Sequence, residues 1–173
     1  MRWLNEPAVW HWAGGRLTVT AEPRTDFWRA THYGYIRDSG HLFGADVAGD
    51  ATVAATMTAR FAGQYDQGGL MARVDDRHWV KFGIEWFDGR LRLSTVVTID
   101  HSSWSMTTLP DGVRTVPLRM VRIGDAVQTW HGAEPVGLAY LPPDRPALLG
   151  LMCAAPESAG FPVEFRNVTL PTG

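Results

Sequence analysis

The run WVKFGIEWF, residues 79–87, sets a lysine and a glutamate four positions apart in an otherwise apolar stretch. Side chains on an extended strand alternate between faces. Val80, Phe82, Ile84 and Trp86 therefore share one face, and Lys81, Gly83, Glu85 and Phe87 share the other. Positions i and i+4 on a strand stand roughly 13 Å apart, too far for a direct ion pair but well placed to flank a ligand. The same parity in RLRLSTVVTI (90–99) puts Arg92, Ser94, Val96 and Thr98 together, and in YDQGGLMARV (65–74) it groups Gln67, Gly69, Met71 and Arg73. Adjoining strands can thus present Gln67, Arg73, Lys81, Glu85, Arg92 and Ser94 on one surface. Such a surface is either the wet face common in antiparallel sheets or the lining of a site. Gly68, Gly69 and Gly83 favour a site, since glycine inside a strand costs stability unless backbone or ligand must come close.

The chemistry available to these residues is acid/base chemistry. Asp26, Asp66, Asp75, Asp76, Glu85 and Glu164 are the candidate carboxylates. Glycoside cleavage needs two carboxyls about 5–9 Å apart, one of them with a raised pKa. Glu85, set among Phe82, Trp86 and Phe87, can acquire that shift by desolvation, with Lys81 acting against it. Asp66 and Glu85 are the pair expected to act in a lyase, isomerase or hydrolase if there is turnover. Other chemistries lack a pattern. The six histidines show no HxH or HExxH spacing, so no metal is expected. His32 and His41 can meet Asp26 or Asp38 in one loop, but a surface or capping role is the simpler reading. GxSxG is absent, and Asp100, His101 and the SSWS run are neighbours in sequence rather than a triad. Neither GxxxxGK[ST] nor GxGxxG occurs, and no cofactor is expected.

The elements that must position these residues are strands. Period-two alternation recurs along the chain and helical stripes are scarce. Strands are expected over 17–21, 51–61, 68–75, His78–Phe87, Arg90–Ile99, 116–123, 126–130, Ala147–Ala154 and 163–170. Asp88-Gly89 and Gly124-Asp125 are hairpin turns. Many short strands with frequent turn signals predict an all-β sandwich or barrel. With 173 residues and no repeat or linker, one domain spanning 1–173 is expected.

Composition narrows the partners. A net charge of −2 with interspersed signs argues against nucleic acid and against a polybasic membrane contact. No apolar run approaches the ~18–20 residues of a membrane span, and MRWLNEPAVW does not read as a leader, so a cytoplasmic protein is expected. The single cysteine, Cys153, lies in the apolar run LLGLMCAAP and reads as a buried, inert thiol. Eight tryptophans are unusual; most should line the core, and a few at a cleft would suit a sugar or aromatic ligand. The segment 25–44, TDFWRATHYGYIRDSGHLFG, is dense in site-forming side chains and is expected to bend across the sandwich edge.

The pieces WLNEP (3–7), TDFWRATHYGYIRDSGH (25–41), YDQGGLMARVD (65–75), WVKFGIEWFDG (79–89), LSTVVT (93–98), SSWS (102–105) and GLMCAAPESAGFPVEF (150–165) resemble, in order, the domain-of-unknown-function family 1349, also labelled regulation-of-enolase-like. The resemblance implies a concanavalin A-like jelly-roll β-sandwich of two curved antiparallel sheets, one concave. It also implies polar positions at Asp26, Trp28, Arg29, His32, Tyr65, Asp66, Gln67, Arg73, Lys81, Glu85 and Trp104. Two departures stand out. Gly68-Gly69 replaces a glutamine followed by Ala-Gly, and His131-Gly-Ala-Glu-Pro-Val replaces a DGxxW turn. The ExDxE signature of sandwich-type glucanases is absent.

Together these features lead to a protein that binds a sugar or sugar-like polar metabolite on the concave face. Trp28, Tyr65 or Trp104 would stack on it, Gln67, Arg73 and Lys81 would donate hydrogen bonds, and Asp66 and Glu85 would accept them. Asp26, Trp28, Arg29 and His32 would form the rim, with Phe27, Tyr33 and Tyr35 closing the core. The alternatives are an enzyme using Glu85 and Asp66, and a regulator docking on a protein partner through an apolar patch near Trp10, Trp12 or Trp130.

Overall fold

The computed structural model describes residues 1–171; Thr172 and Gly173, the end of the expected 1–173 span, lie outside the described residues. In chain order the strands are β1 (Arg2–Leu4), β2 (Trp10–Ala13), β3 (Arg16–Ala21), β4 (Phe27–Arg29), β5 (Ile36–Asp38), β6 (His41–Val47), β7 (Ala51–Ala59) and β8 (Gln67–Arg73). They continue with β9 (His78–Phe87), β10 (Arg90–Ile99), β11 (His101–Thr108), β12 (Thr115–Ile123), β13 (Ala126–His131), β14 (Glu134–Tyr140), β15 (Ala147–Ala154) and β16 (Phe161–Thr169). One seven-stranded antiparallel sheet runs β1-β6-β15-β8-β9-β10-β11, and a second runs β14-β13-β12-β7-β16-β3-β2. The short β4–β5 hairpin stands apart from both.

The sandwich core is the alternating apolar set facing inward from both sheets. Leu70, Ala72, Val80, Phe82, Ile84 and Leu93 of the first sheet meet Leu17, Val53, Met57, Leu118, Met120 and Phe165 of the second. Parity in β8, β9 and β10 falls as the sequence predicts. Turn chemistry does too: Asp88 and Gly89 have φ of 50° and 71°, the left-handed pair that a two-residue hairpin between β9 and β10 requires.

Other elements had no such signal. The segment 25–44 holds the β4–β5 hairpin and the start of β6 rather than a plain connection. The SSWS run lies inside β11, and the departed turn at His131 leads tightly, through Gly132 at φ 60°, into β14. Arg122, fully buried, substitutes for a strand in holding the Pro142-Pro143 loop. Its guanidinium donates to the carbonyls of Val47 (3.1 Å), Pro142 (3.0 Å) and Arg145 (2.8 Å). Cys153 is buried in β15 and desolvation pushes its thiol pKa up. Trp10 packs on Trp3 and Phe43, and Trp130 lies under Arg119. Val136, Leu138 and Tyr140 of β14 are also exposed apolar side chains.

Candidate functional site

The outer face of the first sheet, turned away from the second, is built in rows. Register places Met71, Lys81, Val96 and Trp104 side by side across β8, β9, β10 and β11. The next row is Gly69, Gly83, Ser94 and Met106, and the one after that is Gln67, Glu85, Arg92 and Thr108. The face is not wet. Gln67, Lys81, Glu85 and Ser94 are all buried, Glu85 with 5% and Lys81 with 6% of its surface exposed. The cover is the β4–β5 hairpin. Its Phe27 joins Trp79, Met71, Leu148 and Met152 in a second apolar cluster on this side of the sheet.

What the hairpin leaves open is a cleft of about 670 Å³. Gln67, Lys81, Glu85 and Val96 form its floor, and Trp28, Tyr33, Tyr35, Tyr65 and Trp104 its aromatic walls. Lys81 lies at the centre of the polar network. Its ammonium donates to the Phe27 carbonyl at 2.8 Å and to Gln67 Oε1 at 2.5 Å, and stands 3.6 Å from Asp26 Oδ1. Gln67 Nε2 donates in turn to Asp26 Oδ1 at 3.2 Å, which also accepts from the Phe27 N–H at 2.8 Å. The amide thus bridges the lysine and the aspartate, and the charges sit side by side at the base of the hairpin.

Glu85 belongs to a separate group. Ser94 Oγ donates to its Oε2 at 2.8 Å and Trp104 Nε1 donates to the same oxygen at 3.1 Å. The indole is therefore drawn across β10 toward β9, where it forms a wall beside the carboxyl. Burial raises the Glu85 pKa above the ordinary carboxylate value, with Lys81 and the Ser94 hydrogen bond acting against the shift. The folded protein then holds this proton more tightly than the unfolded chain. Its ionisation costs nothing below the unfolded pKa and costs stability increasingly as pH rises through the folded value. Glu85→Gln is accordingly expected to gain stability relative to the parent at pH 7 and to lose that advantage at pH 4. Urea midpoints of both proteins at the two pH values check this; an equal difference at both would refute it.

Rings link the walls. Trp28 meets Trp104 edge-on at 6.4 Å and Tyr33 at 5.6 Å, while Trp104 also contacts Tyr65 and Phe87. Tyr33 and Tyr35 stack at 5.5 Å with 19° between their planes. The Tyr65 hydroxyl pKa is pushed up to about 12, chiefly by a hydrogen bond with Tyr33. Tyr33 and Tyr35 are thus partly exposed cleft walls, not the core-closing residues expected.

Of the residues expected at a site, the structure brings Asp26, Trp28, Tyr65, Gln67, Lys81, Glu85 and Trp104 together. It places the others elsewhere. Asp66 is fully buried at a turn, accepting from the Ala62 and Gly63 N–H groups (2.8 and 2.9 Å) and from Ser158 Oγ (2.7 Å). It organises the chain before β8 and does not line the cleft, so it is no acid/base partner for Glu85. Arg73 pairs with Asp38 at 2.6 Å beneath the hairpin. Arg29 is buried on the same side, its N–H bonded to Ser102 Oγ and its guanidinium 3.4 Å from Asp76. His32 sits at the exposed hairpin tip with φ of 63°. His41 has both ring nitrogens engaged by backbone, at Asn5 O and Glu22 N. Among the described residues no group of His, Cys, Asp and Glu converges as a metal site.

The cleft residues missed in the sequence include Arg24, Tyr33, Tyr35, Arg37 and Glu157. The alternation Tyr33, Tyr35, Arg37, Ser39 was the available signal, because it marks one face of a strand.

Two seven-stranded antiparallel sheets, with an aromatic and charged cleft on the outer face of one, define a concanavalin A-like β-sandwich. The chain belongs to the family described as protein of unknown function (DUF1349), matched over residues 3–172. It is 35% identical to the Regulation of enolase protein 1 of Saccharomyces cerevisiae, covering 99% of this chain and 90% of that one. A crystal structure of a functionally unknown protein from Saccharomyces cerevisiae superposes with a TM-score of 0.91 at 35% identity, over 99% of this chain and 97% of the other. The carbohydrate binding module CBM66 from Bacillus subtilis shares the fold, with a TM-score of 0.55 at 19% identity over 90% of this chain and 95% of the module.

Proposed function

We propose that the cleft binds a sugar or sugar-like polar metabolite. The observation that supports this most directly is the combination of aromatic walls with buried or half-buried hydrogen-bonding groups: Trp28, Tyr65 and Trp104 around Lys81, Gln67, Asp26 and Glu85. A sugar ring has apolar C–H faces and a polar rim. Aromatic walls take the faces, and convergent donors and acceptors take the hydroxyls. The second carboxyl oxygen of Glu85, the one not held by Ser94 and Trp104, is the natural acceptor or donor for a hydroxyl. The carbohydrate-binding module that shares the fold adds support by analogy only. Hydrolytic or lyase chemistry with Asp66 as partner has no support in this arrangement, because the Asp66 carboxylate is consumed by its turn.

The test is calorimetric titration of the protein with free neutral monosaccharides and disaccharides, repeated on Trp104→Ala. The parent should bind at least one probe. The variant, having lost both a stacking wall and a hydrogen bond to Glu85, should bind it at least about tenfold more weakly, a loss of about 1.4 kcal/mol. Equal affinity in parent and variant would place the binding elsewhere.

A further inference from the structure

Resting on that sugar-binding reading, we infer that the cleft takes its ligand end-on: a free sugar of one or two rings, or the terminal rings of a longer chain, and not the interior of a polysaccharide laid across the sheet. The outer face of a β-sheet is by default a continuous trough from edge to edge. Here that trough is blocked in both directions.

Along the strands, the hairpin blocks it. Cross-strand pairing of β4 and β5 sets Phe27 and Asp38 on one face and Trp28 and Arg37 on the other. The first face is fastened to the sheet: Phe27 packs on Trp79, Asp38 pairs with Arg73, and the Arg29 N–H bonds Ser102 of β11. The row Arg73, Trp79, Thr98 and Ser102 is therefore roofed over, with Trp79, Thr98 and Ser102 buried. The second face, carrying Trp28 and Arg37, stands as a wall of the cleft.

Across the strands, Trp104 blocks it. Its ring bridges β11 to β9 through the Glu85 hydrogen bond, touches Trp28 on one side, and touches Tyr65 and Phe87 on the other. Tyr33, edge-on against Trp28 at 5.6 Å, adds a further ring to this wall. A glycan crossing from β8 to β11 would have to pass through this fence of rings. Arg24 and Glu157, exposed residues of the lining, mark an open part of the cleft rim. A cleft of about 670 Å³ is within the ~300–1,000 Å³ of pockets that enclose most of a small ligand.

The experiment is titration calorimetry of the full chain with linear series of one, two and six units of glucose, xylose and fructose, each also as the reducing-end methyl glycoside. For the series that binds, affinity should rise from one unit to two and then stay level, the hexamer within about threefold of the dimer, since no further unit meets protein. The same series on Tyr33→Ala, which removes an exposed tyrosine of the fence, should show the hexamer gaining over the dimer. A gain of more than about tenfold from dimer to hexamer in the parent protein would overturn end-on binding while leaving sugar binding intact. Failure of every probe to bind would overturn the sugar-binding reading itself, and this inference with it.

Discussion

Replacing Lys81 with methionine is expected to lower the unfolding free energy by about 3 kcal/mol, the range seen when one partner of a buried ion pair is removed. Methionine keeps the length and apolar stem, so the loss reports the ammonium and not a cavity. That ammonium is nearly fully buried and satisfies the Phe27 carbonyl, Gln67 Oε1 and the Asp26 carboxylate together. Without it, the Asp26 carboxylate, whose side chain is only 15% exposed, has only neutral donors left on it: the Gln67 amide and the Phe27 N–H. A buried group stripped of its partner costs the desolvation of that group, which exceeds the net worth of the bond. The decisive control is the double variant Lys81→Met with Asp26→Asn. Removing both charges should recover at least half of the loss, as a buried pair replaced on both sides is often close to neutral. Urea unfolding of the parent, the two single variants and the double variant gives the coupling directly. Additive losses would mean that Lys81 and Asp26 do not act as a pair. The prediction also bears on function: the network that holds Phe27 against Lys81 holds the hairpin, so the variant should weaken ligand binding even where Lys81 does not touch the ligand.

The limits of the sequence follow the range of each interaction. Strand parity is local, so the faces of β8, β9 and β10 were legible from alternation alone, and with them the sharing of one surface by Gln67, Lys81 and Glu85. What covers that surface is not local. The hairpin that turns a wet face into a buried one comes from residues 27–38, and pairs with the sheet through Arg73–Asp38, Lys81–Phe27 and Ser102–Arg29 contacts at long sequence separation. The same reason misplaced Asp66 and Arg73: one precedes β8 and the other ends it, and only their distant partners, Ser158 and Asp38, reveal that they are already spoken for. Tyr33 and Tyr35 were misread because hydrophobicity alone cannot tell an aromatic that closes a core from one that walls a cleft. The glycines were half legible. Their presence inside strands signalled a close approach, but not what approaches.

Gly83→Ala settles what approaches. A Cβ at Gly83 would stand 2.2 Å from the Gly68 carbonyl oxygen and 2.6 Å from the Gly69 Cα. Gly69, its cross-strand partner, is hemmed in the same way by the Phe82 carbonyl. These are backbone atoms of paired strands, so no flexible side chain can yield; β8 and β9 must part. The cost should reach the upper end of the overpacking range, about 3 kcal/mol. Gly49→Ala is the matched control, since a Cβ there meets nothing and its backbone is unstrained; it should stay within about 0.5 kcal/mol of the parent. The two origins of an in-strand glycine separate cleanly in this pair. If Gly83 were kept small to admit a ligand, alanine would leave the urea midpoint unchanged and abolish binding. Because the space is taken by the neighbouring strand, alanine should lower the midpoint first. Binding should then fall as a consequence, since parting β8 from β9 carries Gln67 away from both Lys81 and Glu85. An unchanged midpoint would return Gly83 to the role of a ligand contact.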